Sequence, residues 1–162
     1  MPNKLNLKLI LIFAALFVYA NSLTGPFIWD DRPLILNNYL IQSWRYLPKL
    51  FSSDLYQATW GKTNFYRPIV SLSFMWDYLL WGKFAFGYHL TNILIQLINA
   101  LLVFSLFKRI TKQTAVSFWS SLLFLIHPLN PPVVSYISGR SDSLALFFIL
   151  LSFLSYINYA DK

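Results

Sequence analysis

Four apolar stretches, separated by connections of very unequal length, organise this chain. Residues 5–23 carry one charge, Lys8, near their start, and their length suits a helix crossing ~30 Å of hydrocarbon at 1.5 Å per residue. Residues 88–107 form a second stretch, closed by Lys108 and Arg109. Residues 111–127 reach membrane length only by starting at Thr111 and running up to Pro128, which stops a helix. Residues 143–159 form the fourth, followed by Asp161 and Lys162. The pattern predicts an all-α, multi-pass membrane bundle of four spans in one membrane domain, 1–162. A rival reading makes the first stretch a cleaved signal peptide, with Lys4 and Lys8 as its basic leader and Val18-Tyr19-Ala20 as a loose cleavage site. The bulk of Tyr19 and the apolar run past Ala20 favour a retained span.

The connection from 24 to 87 is long and has structure of its own. Pro68–Trp81 is too short to span, with Pro68 in its first turn and Gly82 just past its end. Ser73 and Asp77 share one face at i, i+4, and Phe74, Trp76, Tyr78 and Trp81 give the aromatic surface of a helix lying at the headgroups, a floor or lid for a site at the outer surface. Residues 41–51 suggest a second interfacial helix, interrupted by Pro48. Lys108-Arg109-Ile110-Thr111-Lys112 carries three positive charges and no negative one. The residues before the first span are likewise basic, so both segments are expected on the cytoplasmic side, with both termini cytoplasmic and loop 24–87 outside.

Composition agrees with a membrane protein: 57% of residues are hydrophobic, 19% aromatic and only 12% charged, too apolar for a soluble domain of this size. The net charge of +7 is spread singly or in pairs beside apolar stretches, without the basic stripe that a phosphate backbone needs, so no nucleic-acid partner is expected. Membrane lipid is the expected partner of these cations. The chain has no cysteine, and every acidic side chain is an Asp, which excludes disulfides and cysteine-ligated zinc.

Candidate chemistry gathers at the outer ends of the spans. Asp30 and Asp31 follow Trp29 where the first span leaves the lipid. They either mark the water-facing end of that span or act as a pair, in which partial desolvation keeps one carboxylate as a base while its neighbour is hydrogen-bonded; Asn37 and Asn38 are placed to orient them. His89, Asn92, Gln96 and Asn99, spaced three, four and three apart, stack on one helix face that must turn into a bundle or a wet cavity. Interhelical hydrogen bonding is the favoured role of the last three, with a place in a functional cavity as the alternative, and His89, level with the acidic pair, is a site candidate. His127 either caps a helix end or joins the site. Arg67, in Tyr66-Arg67-Pro68, and Arg140, in Gly139-Arg140-Ser141-Asp142, are outer-side guanidiniums whose forks suit phosphate oxygens. Asp30, Asp31, His89 and His127 are chemically able to bind metal, yet no ligand pair has a metal-binding spacing, and no divalent metal or other cofactor is expected.

Taken in order, Phe27-Ile28-Trp29-Asp30-Asp31 with Ile35 and Asn37, Tyr66-Arg67-Pro68, Gly87-Tyr88-His89-Leu90-Thr91-Asn92, His127-Pro128 and Gly139-Arg140-Ser141-Asp142 resemble the opening of C-type-fold, lipid-phosphate-sugar-dependent glycosyltransferases. The resemblance runs from about residue 27 to 150. It is closest to the protein O-mannosyltransferase-like group with a C-terminal tetratricopeptide region. It implies transfer of a sugar, with mannose the candidate, from a polyprenyl-phosphate donor to a protein or glycan hydroxyl on the outer or lumenal face. Carried over, Asp30 is the base and Asp31 positions the acceptor or sets its pKa. Arg67, His89, His127, Arg140 and Asp142 are the candidates for holding substrate and lipid phosphate. A bacterial plasma membrane is the expected location, with the endoplasmic reticulum membrane as the alternative. Such enzymes have many further spans, so the remaining helices of a larger chain or of a partner subunit are expected beside these four. The family pattern has a glutamate where this chain has Pro132 and a second histidine where it has Gln96, departures that imply a divergent substrate or lost activity. The rival class is a non-catalytic four-span scaffold or accessory subunit that binds a lipid-linked sugar or partner helices.

Overall fold

The computed structural model describes residues 4–160, and among these every regular element is helical. Helix α1 (Lys4–Tyr19) continues as a tighter turn through Thr24. Its inward stripe, Leu7, Leu11, Ala15 and Tyr19, recurs every fourth residue, so one narrow face meets the bundle while Phe13 and Phe17 point away from it. Helix α2 (Leu47–Leu50) is a single turn, and α3 (Pro68–Trp81) has the bounds expected from its Pro and Gly punctuation. Helices α4 (Ala85–Thr111) and α5 (Thr114–Ile126) form an antiparallel hairpin, turned by Lys112 in a left-handed conformation (φ 58°). A short helix α6 (Pro131–Val134) and a tight turn at Ile137–Gly139 lead into α7 (Arg140–Ala160).

Three stretches are long and apolar enough to cross a membrane, Asn6–Thr24, Ala85–Thr111 and Ile137–Ala160. The third of the four expected spans forms α5, whose 13 residues reach about 20 Å, short of the ~30 Å hydrocarbon core. Its limits are local: Gln113 enters in an extended conformation, and His127 leaves in one (φ −60°, ψ 133°), as the following Pro128 requires. The fourth span, expected from 143, begins earlier, with the turn at Ile137–Gly139 and helix α7 from Arg140, and so takes in the Gly-Arg-Ser-Asp motif.

Two cores result. One lies among the long helices, where α1 packs on Ile93, Ala100 and Phe104 of α4 and on Phe118 and Leu125 of α5; the Tyr19 hydroxyl donates to Leu125 O at 2.7 Å. The second lies inside the long connection. Leu34, Ile35, Leu40, Ile41, Leu50 and Leu55 close over Val70, Phe74 and Met75 of α3, with Tyr88 and Ile137 beneath. The helix expected over 41–51 is broken into turns at Tyr39–Ile41 and Trp44–Tyr46 followed by α2. Asn38 and Ser43 cap these turns by accepting from Leu40 N and Arg45 N, and capping of this kind restarts the backbone instead of continuing it.

Candidate functional site

The two neighbouring aspartates have opposite surroundings. Asp31 is fully buried. Its Oδ1 accepts from the backbone N–H and the hydroxyl of Ser138, at 2.9 and 2.5 Å, and its Oδ2 accepts from Ile28 N at 3.0 Å. A carboxylate removed from water needs such partners, and these tie the exit of α1 to the turn before α7. Burial pushes the Asp31 carboxyl above its ordinary value, with the three hydrogen bonds pulling the other way. Asp30 is half-buried. Its backbone N–H donates to the Tyr136 hydroxyl at 3.2 Å, and its charge acts on the Tyr56 phenol. Burial, and then the charge and hydrogen bonding of Asp30, push the Tyr56 phenol up to about 12, so that phenol stays a proton donor facing the carboxylate. Burial likewise raises Tyr136. Asn38 is occupied by its own turn, its amide donating to Leu34 O at 3.1 Å.

Arg140 lies at the bottom of the site, fully buried. Its Nη2 pairs with Asp77 Oδ2 at 2.5 Å and donates to Tyr88 O at 3.0 Å, Nε donates to Asn92 Oδ1 at 2.6 Å, and Nη1 to Ser73 Oγ at 3.3 Å. The guanidinium also lies over the Phe74 ring, 4.8 Å from its centroid. Thr91 donates to the other Asp77 oxygen at 2.7 Å. Burial pushes the Asp77 carboxyl up while Arg140 pulls it down. The planar fork is thus used to join three elements, α3, α4 and α7. Asn92 extends the junction by donating to the carbonyls of Val134, Tyr136 and Ile137 at 3.1–3.3 Å. Gly139 lets this turn close: a Cβ there would lie 2.6 Å from Pro132 O.

The other expected residues separate. His89 is buried, with Nε2 3.1 Å from Gly25 O; the carbonyl accepts, which leaves Nδ1 as a buried lone pair without a hydrogen-bond partner. Asn99 donates to Ser143 O at 2.9 Å, while Gln96 Nε2, Asn99 Oδ1 and Ser143 Oγ are buried and unpaired. His127 is exposed, and its Nδ1 accepts from Leu129 N in the turn that ends α5. Arg67 and Asp142 come together on one side of a cavity of about 340 Å³, shared with Ser141 and walled by Ile69, Val70, Leu144, Ala145 and Phe148. Among the described residues no three histidine or acidic side chains converge as metal ligands.

Asp77 and Ser73 share the helix face expected for them, but their convergence on Arg140 escapes a reading of the sequence. Asp77 carries a detectable signal, since a lone acid in an aromatic helix must find a cation or face solvent. Tyr56, Tyr136 and Ser138 carry none, because their roles depend on the path of the connecting segments.

Curated proteins with related sequences put this geometry in context. Protein O-mannosyl-transferase TMTC4 of Mus musculus is 32% identical over 166 residues, covering 92% of this chain. TMTC1 of Homo sapiens is 33% identical over 158 residues, again 92% of the chain. The Caenorhabditis elegans protein O-mannosyl-transferase F38B6.6 is 30% identical over 155. This chain is a relative of the protein O-mannosyl-transferases. It spans 22%, 18% and 22% of the lengths of these three proteins, respectively. No family model matches the chain, and no solved structure does. Relatedness over nearly the whole chain agrees with the resemblance carried by the ordered motifs.

Proposed function

We propose that this chain supplies the acceptor-activating part of a membrane glycosyltransferase that moves mannose from a polyprenyl-phosphate donor to a protein or glycan hydroxyl on the outer or lumenal face. The observation that carries this reading is the division of labour between Asp30 and Asp31. Asp31 spends its oxygens on Ser138 and Ile28, which fixes the turn. Asp30 is only half-buried, with the Tyr136 hydroxyl on its backbone N–H and its charge acting on the Tyr56 phenol.

In the proposed step the Asp30 carboxylate takes the proton of the acceptor hydroxyl as its oxygen bonds to the anomeric carbon. The bond from that carbon to the phosphate oxygen breaks, and the electron pair leaves on the lipid phosphate. In this reading Arg67, exposed and lining the same cavity as Asp142, binds the phosphate, and Asp142 a sugar hydroxyl. The apolar wall from Ile69 to Phe148 suits the first isoprene units. Enclosure of the donor requires further helices, since water must be excluded and the anomeric carbon held in line. The unpaired Gln96, Asn99 and Ser143 atoms and the open outer face of α7 also support association with such helices. This favours a catalytically incomplete segment.

Asp30→Asn in the complete protein tests the reading. The amide keeps the shape and loses the basicity, so transfer from polyprenyl-phosphate mannose should fall about 10²–10⁴-fold with insertion unchanged. Wild-type turnover would exclude Asp30 as the base and leave the scaffold reading.

A further inference from the structure

Asp30 lies between two tyrosines, each backed by an open indole. On one side is Tyr136, whose ring meets Trp29 edge-on at 5.8 Å. On the other is Tyr56, on which Trp60 lies flat, with ring centroids 4.6 Å apart and planes within 6°. Trp29 is 78% exposed and Trp60 is 61% exposed.

Both flanks are held firmly. Tyr56 and Trp60 belong to loop 54–65, whose closure centres on Asp54: its carboxylate accepts from Tyr56 N, Thr63 N, Thr63 Oγ1 and Phe65 N at 2.5–3.0 Å, and Leu55 N donates to Phe65 O at 2.7 Å. Trp29 has φ 43°, a left-handed backbone that a bulky residue adopts only where its surroundings enforce it. Two indoles are therefore fixed in place and left uncovered beside a carboxylate.

An open indole at a bilayer surface serves either as a headgroup anchor or as a stacking face. The surroundings favour stacking. An anchor needs no hydrogen-bonding groups beside it, whereas here each indole is packed on a tyrosine that adjoins Asp30, through the Tyr136 hydroxyl on the Asp30 N–H and the Asp30 charge on the Tyr56 phenol. A flat apolar face edged by fixed donors and acceptors matches a pyranose, which has C–H bonds on its face and hydroxyls around its rim. We propose that the Trp29–Tyr136 and Tyr56–Trp60 pairs form a pyranose-binding subsite around Asp30, with Asp54 as the positioning residue that holds the second pair. The subsite rests on Asp30 being the base, and it assigns the sugar ring, not the lipid, to this side of the molecule.

Saturation-transfer NMR of the 162-residue protein in detergent micelles, with methyl α-mannopyranoside as probe, tests the subsite. Saturation should reach the ring C–H protons. Trp60→Leu and Trp29→Leu should each weaken it roughly fivefold, the scale of one aromatic contact, and Asp54→Asn should weaken it with helix content unchanged by circular dichroism. Full saturation in a well-folded Trp29→Leu/Trp60→Leu variant would overturn the subsite. So would strong quenching of these two indoles by brominated phosphatidylcholine vesicles, which would make them headgroup anchors. Transfer that survives Asp30→Asn while saturation still depends on Trp60 would sink the mechanism and spare the subsite. Loss of transfer in Asp30→Asn with saturation indifferent to both tryptophans would do the reverse.

Discussion

The site has a buried seam and an open rim, and the same residue types behave differently in each. In the seam, Asp31, Asp77 and Arg140 are out of water and engaged by partners. At the rim, Asp30, Arg67 and Asp142 keep contact with solvent, and Arg67 and Asp142 share a cavity. Charge in low dielectric is tolerable only with partners nearby, so the seam's groups are committed to holding α3, α4 and the α7 turn together. Under the proposed function, the rim's groups are the ones left for a substrate. Chemical capacity here follows from incomplete satisfaction, and the precision of the rim depends on the completeness of the seam.

The sharpest way to break this contrast is to remove one charge from the seam. Arg140→Met leaves Asp77 buried without its cation, and Asp77→Leu leaves Arg140 in the same condition. Each should cost about 3–5 kcal/mol, whereas the double variant should regain much of that loss, because an apolar pair of similar volume avoids the desolvation. Unfolding in detergent micelles measures all three. Single variants within ~1 kcal/mol of wild type would mean that the pair does not lock these helices.

Two glycines test the seam further. At Gly139 an added Cβ meets backbone, Pro132 O at 2.6 Å and Val133 O at 3.0 Å; at Gly87 it meets the Trp81 ring at 2.1 Å. The backbone of the α6 turn cannot retreat without breaking the Asn92 bonds, and at Gly87 the overlap falls on the root of the Trp81 ring, so the whole indole must move. Gly139→Ala and Gly87→Ala should therefore each cost about 1–3 kcal/mol. A variant within ~0.5 kcal/mol of wild type would show that its contact yields.

Much of this architecture was legible in the sequence, for identifiable reasons. Long apolar runs announced α1, α4 and α7, and Pro68 with Gly82 bracketed α3, because these signals are local. The polar face of α4 was visible from its spacing, and Asn92 and Asn99 do bond across to the segments around α7. The length of α5 was overestimated because apolar composition persists up to a boundary set by backbone conformation at Gln113 and His127. The acidic pair was found, but the different environments of its members depend on Ser138, more than a hundred residues away, and on Tyr56. Arg140 was visible as an unusual cation, yet only the folded chain shows that Asp77 reaches it first.

The smallest effect expected is a pH dependence that separates seam from rim. Burial holds the Asp31 carboxyl above its ordinary 3.8, so the folded state binds this proton more tightly than the unfolded chain does. The stabilisation from protonating Asp31 is then fully present below about 3.8 and is lost as pH rises through the raised value. Asp54 has the opposite sign. Its four hydrogen bonds hold it below 3.8, so loop 54–65 has its full support above that pH and loses it as pH falls through the lowered value. The melting temperature in micelles should rise modestly as pH falls from neutrality towards 4, and Trp60 fluorescence should report loosening of the loop only at still lower pH. Asp31→Asn should flatten the first trend and leave the second in place. Because an amide NH₂ cannot accept from Ile28 N, this variant should also lose about 1 kcal/mol near neutral pH. A wild-type melting curve as flat as that of Asp31→Asn between pH 7 and 4 would show that burial does not raise the Asp31 carboxyl, and the role of Asp31 as a buried seam residue would fail.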